Sequence, residues 1–222
     1  MSRVLVIAPH PDDEVLGVGG SVLRHVADGD AVHVVVCTRG RVEDFGAGQV
    51  ERVQAEARAV HKFLGVAGSH FLDLRAARLD TVPRADIHAA LQRVFEQVKP
   101  DTVYVPHPGD VHHDHRVIFE SAMVCCRPTH AASPERILSY ETVSETDWNA
   151  PGVTPVFVPN CFADISKFMD RKLEACALYG SQVRPAPHQR SLEAIRALAV
   201  TRGHAMGMQH AEAFMFLRRL VR

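Results

Sequence analysis

A histidine and three carboxylates stand close together near the amino terminus, as His10, Asp12, Asp13 and Glu14. Residues 4–7 before them form a continuous apolar run, which predicts a strand buried on both faces. The cluster therefore falls at the carboxyl end of a central strand, where open α/β sheets build ligand sites. Carboxylates gathered around an imidazole favour a positive charge among them. A divalent metal is the simplest candidate, because histidine nitrogen and carboxylate oxygen both bind zinc.

A second cluster follows at residues 107–115, with the sequence His-Pro-Gly-Asp-Val-His-His-Asp-His. His112 and His115 are three positions apart at the start of a predicted helix, so their side chains can converge, and Asp114 lies between them. Together the two clusters offer about three protein ligands and an open position for water, as catalytic zinc sites do. The alternatives are structural: acids that complement a helix N-terminus, and histidines in a solvated turn or helix cap.

Alternating elements must position these clusters. We predict strands over residues 4–7, 31–37, 69–72, 102–105 and 136–140, with a further short strand at 156–158. Helices are predicted over residues 15–27, 49–64, 84–98, 116–126, 166–178 and 191–201, the fifth capped by Asp164 or Ser166. Residues 38–48 are predicted to be a loop, and the pattern of residues 211–220 fits a strand or a helix equally well. This alternation predicts an α/β fold, a mostly parallel sheet with helices on both faces, in one domain over residues 1–222.

Composition excludes several classes of function. The chain has 222 residues and a formal net charge of −1, so it offers no basic groove for nucleic acid. No apolar run approaches the ~20 residues of a membrane span. We expect no signal peptide, because the first strand begins at once. The five cysteines lack CxxC spacing and indicate reduced thiols in a cytoplasmic protein. The glycines of residues 17–20 do not match GxGxxG, so we expect no dinucleotide site.

With both clusters in view, the sequence resembles the LmbE-like, or PIG-L, family of zinc-dependent de-N-acetylases. Residues 8–14 resemble the AHPDDE motif of that family, with Pro9 between Ala8 and His10, and residues 112–115 resemble its HxDH motif. Weaker similarities follow at residues 140–142, at Lys172 with residues 181–182, and at residues 212–214. The resemblance covers nearly the whole chain and implies a Rossmann-like fold.

The resemblance also implies a metal site. It places one Zn²⁺ on His10, Asp13 and His115, although other divalent metals could bind such ligands. A metal-activated water would then attack an amide carbonyl.

The remaining residues of the two motifs receive catalytic roles from the same resemblance. Asp12 would be the general base, and His112, held by Asp114, would polarise the developing oxyanion. For Glu14 the position in the first turn of the helix, and not the resemblance, predicts a supporting role at the helix N-terminus or around the metal ligands.

Four residues outside the motifs are predicted to contact substrate: Arg52, Tyr140, His188 and Arg190. Arg52 is included because it resembles an arginine common in the second helix of the family. The other three residues also have a structural interpretation. Tyr140 could belong to the core, His188 could pack within its loop, and Arg190 could pair with a surface acid.

The predicted function is a metal-dependent amidase acting on carbon–nitrogen bonds other than peptide bonds. It would remove an N-acetyl or related N-acyl group from an amino sugar or amino-sugar conjugate. Two alternatives stay open: an amidase of a larger glucosamine conjugate, and a metal-dependent sugar-binding module without turnover. A nucleotide-binding regulator is disfavoured because a phosphate loop is missing. The expected partner is a small-molecule amino sugar, and the chain could assemble into a homo-oligomer.

Overall fold

The apolar runs of the sequence form the centre of one sheet in the computed structural model, which describes residues 1–130 and 133–221. Its seven strands are β1 (Arg3–Ala8), β2 (Ala31–Arg39), β3 (Gly68–Arg75), β4 (Thr102–Pro106), β5 (Arg136–Tyr140), β6 (Cys161–Asp164) and β7 (Ala211–Arg219). Their order across the sheet is β3-β2-β1-β4-β5-β7-β6. The first five strands pair in parallel, whereas β7 runs antiparallel to both β5 and β6.

Helices cover both faces of the sheet. They are α1 (Asp13–Ala27), α2 (Val42–Phe45), α3 (Ala47–Leu64), α4 (Arg84–Val98), α5 (His113–Cys125), α6 (Met169–Leu178) and α7 (Leu192–His204). Side chains of β1 alternate between the two faces. Val4 and Val6 pack with residues of α1, α3, α6 and α7, while Leu5 and Ile7 pack with residues of α4 and α5. None of the described helices is long and apolar enough to cross a membrane.

The α/β architecture predicted from the sequence is confirmed, and α4 and β5 have the predicted bounds. The undecided carboxyl-terminal stretch is the strand β7, which pairs on both edges. The prediction of a strand at residues 156–158 is wrong. Val156 and Val158 are exposed there and lie outside the described strands, and the strand that does form, β6, begins at Cys161.

Two further predictions need smaller corrections. Residues 38–48 are not wholly a loop, because they contain the short helix α2. The helix predicted over residues 166–178 corresponds to α6, which begins at Met169 and has Phe168 as its cap. Asp164 does not cap it, because its carboxylate accepts the Ser166 N–H at 2.9 Å and closes a turn before the helix starts.

The strand order reverses between β1 and β4. From β1 the chain crosses to β2 and β3 on one side, and β4 and β5 then fill the other side. The residues that follow β1 and β4 consequently meet at the crevice where doubly wound sheets bind ligands.

Candidate active site

The two polar clusters meet at this switch point. Residues 9–12 leave β1 and lead into α1, with Asp12 as the residue before its first turn. Asp12 has φ 116°, a left-handed conformation that costs a non-glycine residue free energy and is found mainly at functional sites. The second cluster leaves β4 and leads into α5, which His112 caps. The rings of His10 and His115 have centroids 5.3 Å apart.

His10, Asp13 and His115 form a group with the spacing of metal ligands, as one of two such groups among the described residues. Asp13 Oδ2 lies 3.4 Å from His10 Nδ1 and 3.3 Å from His115 Nε2. Ligand atoms at the corners of a tetrahedral zinc site with bonds of 2.0–2.1 Å are about 3.3–3.4 Å apart. The three side chains can therefore hold one divalent cation with little rearrangement.

Each of the two histidines has a carboxylate beside one ring nitrogen, an arrangement typical of metal ligands. His115 is fully buried, and its Nδ1 lies 2.8 Å from Asp110 Oδ2, while its Nε2 has no hydrogen-bond partner among the described residues. His10 likewise has Nε2 3.1 Å from Asp114 Oδ2. In metalloproteins a carboxylate commonly binds the ring nitrogen of a ligand histidine that faces away from the metal. His115 Nε2 approaches the carboxylate of Asp13 at 3.3 Å, so this nitrogen is available to bind a cation together with Asp13.

The electrostatics of the cluster call for positive charge. Burial opposes protonation of His10, but hydrogen bonds to Asp114 and Asp13 outweigh it and raise the pKa of His10 to about 9. Burial also opposes protonation of His115, yet the carboxylates of Asp13 and Asp110 hold its pKa well above the usual range. Protons on these imidazoles balance the carboxylates, and a divalent cation would supply the same balance.

The role assigned to Asp114 needs correction. Its carboxylate does not hold His112. It contacts His10 and accepts the N–H groups of Ala77 at 2.7 Å and Leu79 at 3.2 Å. Only the backbone N–H of Asp114 reaches His112, donating to Nδ1 at 3.1 Å. His10, His112 and Asp114 form the second group with ligand spacing, but these contacts already occupy the Asp114 carboxylate and His112 Nδ1.

His112 is a neutral hydrogen-bond donor in this arrangement. Because Nδ1 accepts the Asp114 N–H, the ring proton resides on Nε2. Burial and the nearby His10 lower the pKa of His112 to about 4, so the ring is uncharged at neutral pH. An imidazole N–H at the edge of the cavity suits the stabilisation of negative charge on a substrate oxygen.

Asp12 faces the same cavity and is held by Arg190. Arg190 Nη1 donates to Asp12 Oδ2 at 3.0 Å, Nε donates to Ser144 Oγ at 2.7 Å, and Nη2 lies 3.4 Å from Glu145 Oε1. Burial raises the pKa of Asp12 to about 8, and the Arg190 charge opposes that rise. A carboxylate whose pKa lies near neutrality suits general-base catalysis.

The side chain of Glu14 stabilises the backbone of Asp12. It is fully buried, and its Oε2 accepts the Asp12 N–H at 3.2 Å, which steadies the left-handed backbone of Asp12. The Tyr179 hydroxyl donates to the other oxygen of Glu14 at 2.6 Å, and His61 Nε2 lies 3.5 Å from it. The predicted supporting position of Glu14 is thus what the structure has, with Tyr179 as an added partner.

Only one of the four residues that were predicted to contact substrate lines the cavity. Arg190 lines the cavity, whereas Arg52, Tyr140 and His188 do not. Tyr140 is corrected to a core residue, because its ring is fully buried and its hydroxyl donates to the Ile7 carbonyl at 2.8 Å.

The other two residues are corrected for different reasons. Arg52 is on α3 but not among the α3 residues that line the cavity, and its Nε lies 2.9 Å from Glu56 Oε1. His188 accepts the Arg190 N–H on Nδ1 at 3.0 Å and packs against Trp148, so its role is to shape the loop that carries Arg190.

Sequence reasoning missed Asp110, Ser144, Glu145 and the pairing of Asp12 with Arg190. Glu145 Oε2 accepts the His112 N–H at 3.2 Å and lines the cavity. Asp110 stands within the second cluster, which was the one available signal for it. Ser144 and Glu145 follow β5 in an irregular stretch whose sequence has no periodicity.

Comparison with known proteins agrees with this geometry. A family model described as PIG-L, GlcNAc-PI de-N-acetylase, matches residues 5–126. The uncharacterized deacetylase YaiS of Escherichia coli K12 is 29% identical over 169 residues, which cover 74% of this chain and 82% of that protein. The diacetylchitobiose deacetylase of Thermococcus kodakarensis is 25% identical over 229 residues, covering 98% and 84%.

A solved structure extends the similarity to the whole fold. The conserved protein TT1542 from Thermus thermophilus has a TM-score of 0.78 at 27% identity, and the match covers 100% of this chain and 97% of that one. The PIG-L model spans more than half of the chain, including both clusters of the site. The chain therefore belongs to the PIG-L family of de-N-acetylases and is a hydrolase of carbon–nitrogen bonds outside peptide linkages.

Proposed function

We propose that the chain is a zinc-dependent deacetylase that removes the N-acetyl group, or a related small N-acyl group, from an amino sugar or its conjugate. The observation that carries this proposal is the pair of carboxylate-backed histidines around Asp13, with a second carboxylate, Asp12, beside them in the same cavity. Two histidines and one carboxylate are a common ligand set of catalytic zinc. The relative from Thermococcus, named a diacetylchitobiose deacetylase, supports a small sugar amide as substrate.

Each residue of the site then has a task in amide hydrolysis. When bound, the ion supplies a Lewis acid that polarises the amide carbonyl and makes water a stronger acid. Asp12 takes a proton from the attacking water as the oxygen bonds to the carbonyl carbon. The Nε2–H of His112 donates to the carbonyl oxygen as it gains negative charge. Asp12 returns the proton to the amine nitrogen as the carbon–nitrogen bond breaks, which leaves a free amine and acetic acid, and the acid ionises to acetate by releasing its proton to solvent or to the amine.

Arg190 has a positioning task in this scheme. It fixes the carboxylate of Asp12 through one arm of its guanidinium and reaches Ser144 and Glu145 with the others. The planar fork of arginine holds several acceptors in fixed directions. Asp12 is consequently oriented before substrate binds, and this pre-orientation lowers the activation free energy of the reaction.

A binding module without turnover is the weaker candidate. Metal and sugar binding would need the ligands, but they would not need a buried carboxylate beside them in a strained backbone conformation. An amidase of a larger glucosamine conjugate differs from our proposal only in the acyl group, so a parallel assay of an amide with a larger acyl group distinguishes the two.

The test compares two neighbouring carboxylates with different proposed tasks. Acetate release from N-acetylated amino sugars and bound metal are measured for Asp12→Asn and Asp13→Asn. We expect Asp13→Asn to lose metal, because a neutral amide is a poorer ligand. We expect Asp12→Asn to keep the metal and to lose about 10²–10⁴-fold in kcat, the usual contribution of a general base.

A matched control is Asp28→Asn at the other end of α1, where the side chain is exposed. It should change neither metal content nor turnover. Near-normal kcat in metal-loaded Asp12→Asn would contradict the proposal. Hydrolysis of an amino-sugar amide that carries a larger acyl group, without acetate release from the N-acetylated sugars, would favour the amidase of a larger conjugate.

A further inference from the structure

The cavity above the metal ligands has two walls of different chemistry. Its free volume is about 280 Å³, close to the lower end, about 300 Å³, of small-molecule pockets. The polar wall carries the catalytic groups described above. The apolar wall consists of the apolar lining residues, Pro11, Phe45, Val50, Val53, Ala76 and Ala77, with Gln49 and Gln54 beside Val50 and Val53 on α3.

The apolar wall is held in place by the short helix α2 and the start of α3. Asp44 of α2 pairs with Arg75 of β3 through contacts of 2.9–3.1 Å. Phe45 follows directly and keeps 47% of its surface exposed. A Cβ atom on Gly40 would lie 2.9 Å from Phe45 Cδ2, so the ring occupies this position because residue 40 has no side chain. The ring of Phe45 thus lines the cavity and stays partly exposed.

The charges of the cavity disfavour an anionic ligand. Arg190 is the only lysine or arginine among the described residues that line it. Its guanidinium is already engaged by Asp12, Ser144 and Glu145, two of which carry carboxylates. A phosphate or carboxylate on the substrate, lying away from the metal ligands, would find no free guanidinium or ammonium group among the described residues that line the cavity.

These observations together specify a substrate class within the proposed function, on which the inference rests. We infer that the substrate is an uncharged N-acetylated amino sugar carrying an apolar alkyl or aryl group as its glycosidic substituent. The acetamido end lies toward His112 and Asp12, and the apolar substituent lies against Phe45, Val50 and Val53. Burial of apolar surface against this wall supplies the binding preference.

The experiment compares kcat/KM for acetate release from three probes: N-acetylglucosamine, its phenyl glycoside and its 6-phosphate. For the wild type we expect the phenyl glycoside to exceed the free sugar by about tenfold or more, the scale of an added group in an apolar pocket. The 6-phosphate should fall below the free sugar. Phe45→Ala should reduce the ratio of phenyl glycoside to free sugar by about fivefold. Val42→Ala, an exposed residue of the same helix that does not line the cavity, should leave the ratio unchanged.

The outcomes separate this inference from the function on which it rests. Equal kcat/KM for the phenyl glycoside and the free sugar, or a preference for the 6-phosphate, would overturn the substrate class while acetate release still supports a deacetylase. An unchanged ratio in Phe45→Ala would likewise overturn the inference that the apolar substituent binds against Phe45. Absence of acetate from all three probes would instead count against the proposed function itself.

Discussion

Asp110→Asn tests whether His115 is a metal ligand without altering any proposed ligand. The Asp110 carboxylate is completely buried, with Oδ2 2.8 Å from His115 Nδ1 and Oδ1 accepting the Thr146 hydroxyl at 2.6 Å. Asparagine has nearly the same shape, so the packing is kept while the negative charge is lost. The imidazole then becomes a weaker donor of electrons to a metal at Nε2.

The expected size of the effect follows from this contact. Loss of a carboxylate behind a ligand histidine typically lowers metal affinity by about 10–100-fold, which is about 1.4–2.7 kcal/mol. Thr146→Val removes only one hydrogen bond to Asp110 and should lower affinity by less than about tenfold. Asp101→Asn is the control, because Asp101 pairs with Arg3 at the opposite end of the sheet.

The assay is competition for zinc between each variant and a chelator of known affinity at fixed pH. Urea unfolding of the metal-free proteins should accompany it, so that a loss of fold is not mistaken for a loss of affinity. An Asp110→Asn protein that folds and binds zinc as tightly as the wild type would refute the assignment of His115 Nε2 as a ligand.

Three further predictions concern stability and reactivity. Lys172→Met should lower the free energy of unfolding by about 3–5 kcal/mol in urea, because it leaves the buried Glu212 carboxylate, 2.6 Å from the Lys172 ammonium, without its counter-charge. Tyr179→Phe should lower it by about 1–3 kcal/mol by the same measurement, since it leaves a buried oxygen of Glu14 without the hydroxyl that donates to it; an unchanged unfolding curve would argue against this bond. In the native protein a thiol reagent such as DTNB should react fastest at Cys161, the one described cysteine that is not buried, and Cys161→Ala should abolish the fast phase.

The parts of the fold that were predictable are those encoded locally. Buried parallel strands are continuous apolar runs, and the amphipathic helices between them have a regular period, so the alternation and most bounds could be read directly. The carboxyl-terminal region could not be read in this way. β7 acquires its identity from pairing with β5 and β6, which are distant in sequence, and Val156 and Val158 have a strand-like pattern without a partner strand among the described residues.

In the site, too, the local features could be predicted from the sequence, whereas the contacts between distant residues could not. The two clusters could be located because each follows an apolar run, and parallel strands end at one edge of the sheet. The partner of each side chain depends on three-dimensional packing. Asp114 is adjacent to His112 in its motif but contacts His10 instead, and Arg190 reaches Asp12 across 178 positions of sequence. Tyr140 ends a strand near the site, yet its ring packs beneath Gly17, where an added Cβ would overlap the ring.

Acetate release during metal titration is the most direct test of the central claim, that one divalent ion at His10, Asp13 and His115 is required for deacetylation. Metal is removed with a chelator, zinc is returned in steps, and acetate release from an N-acetylated amino sugar is measured at each step. We expect negligible release without metal and a linear rise in release that ends at one ion per chain. Full release by the metal-free protein, or a rise that shows no break at one ion per chain, would contradict it.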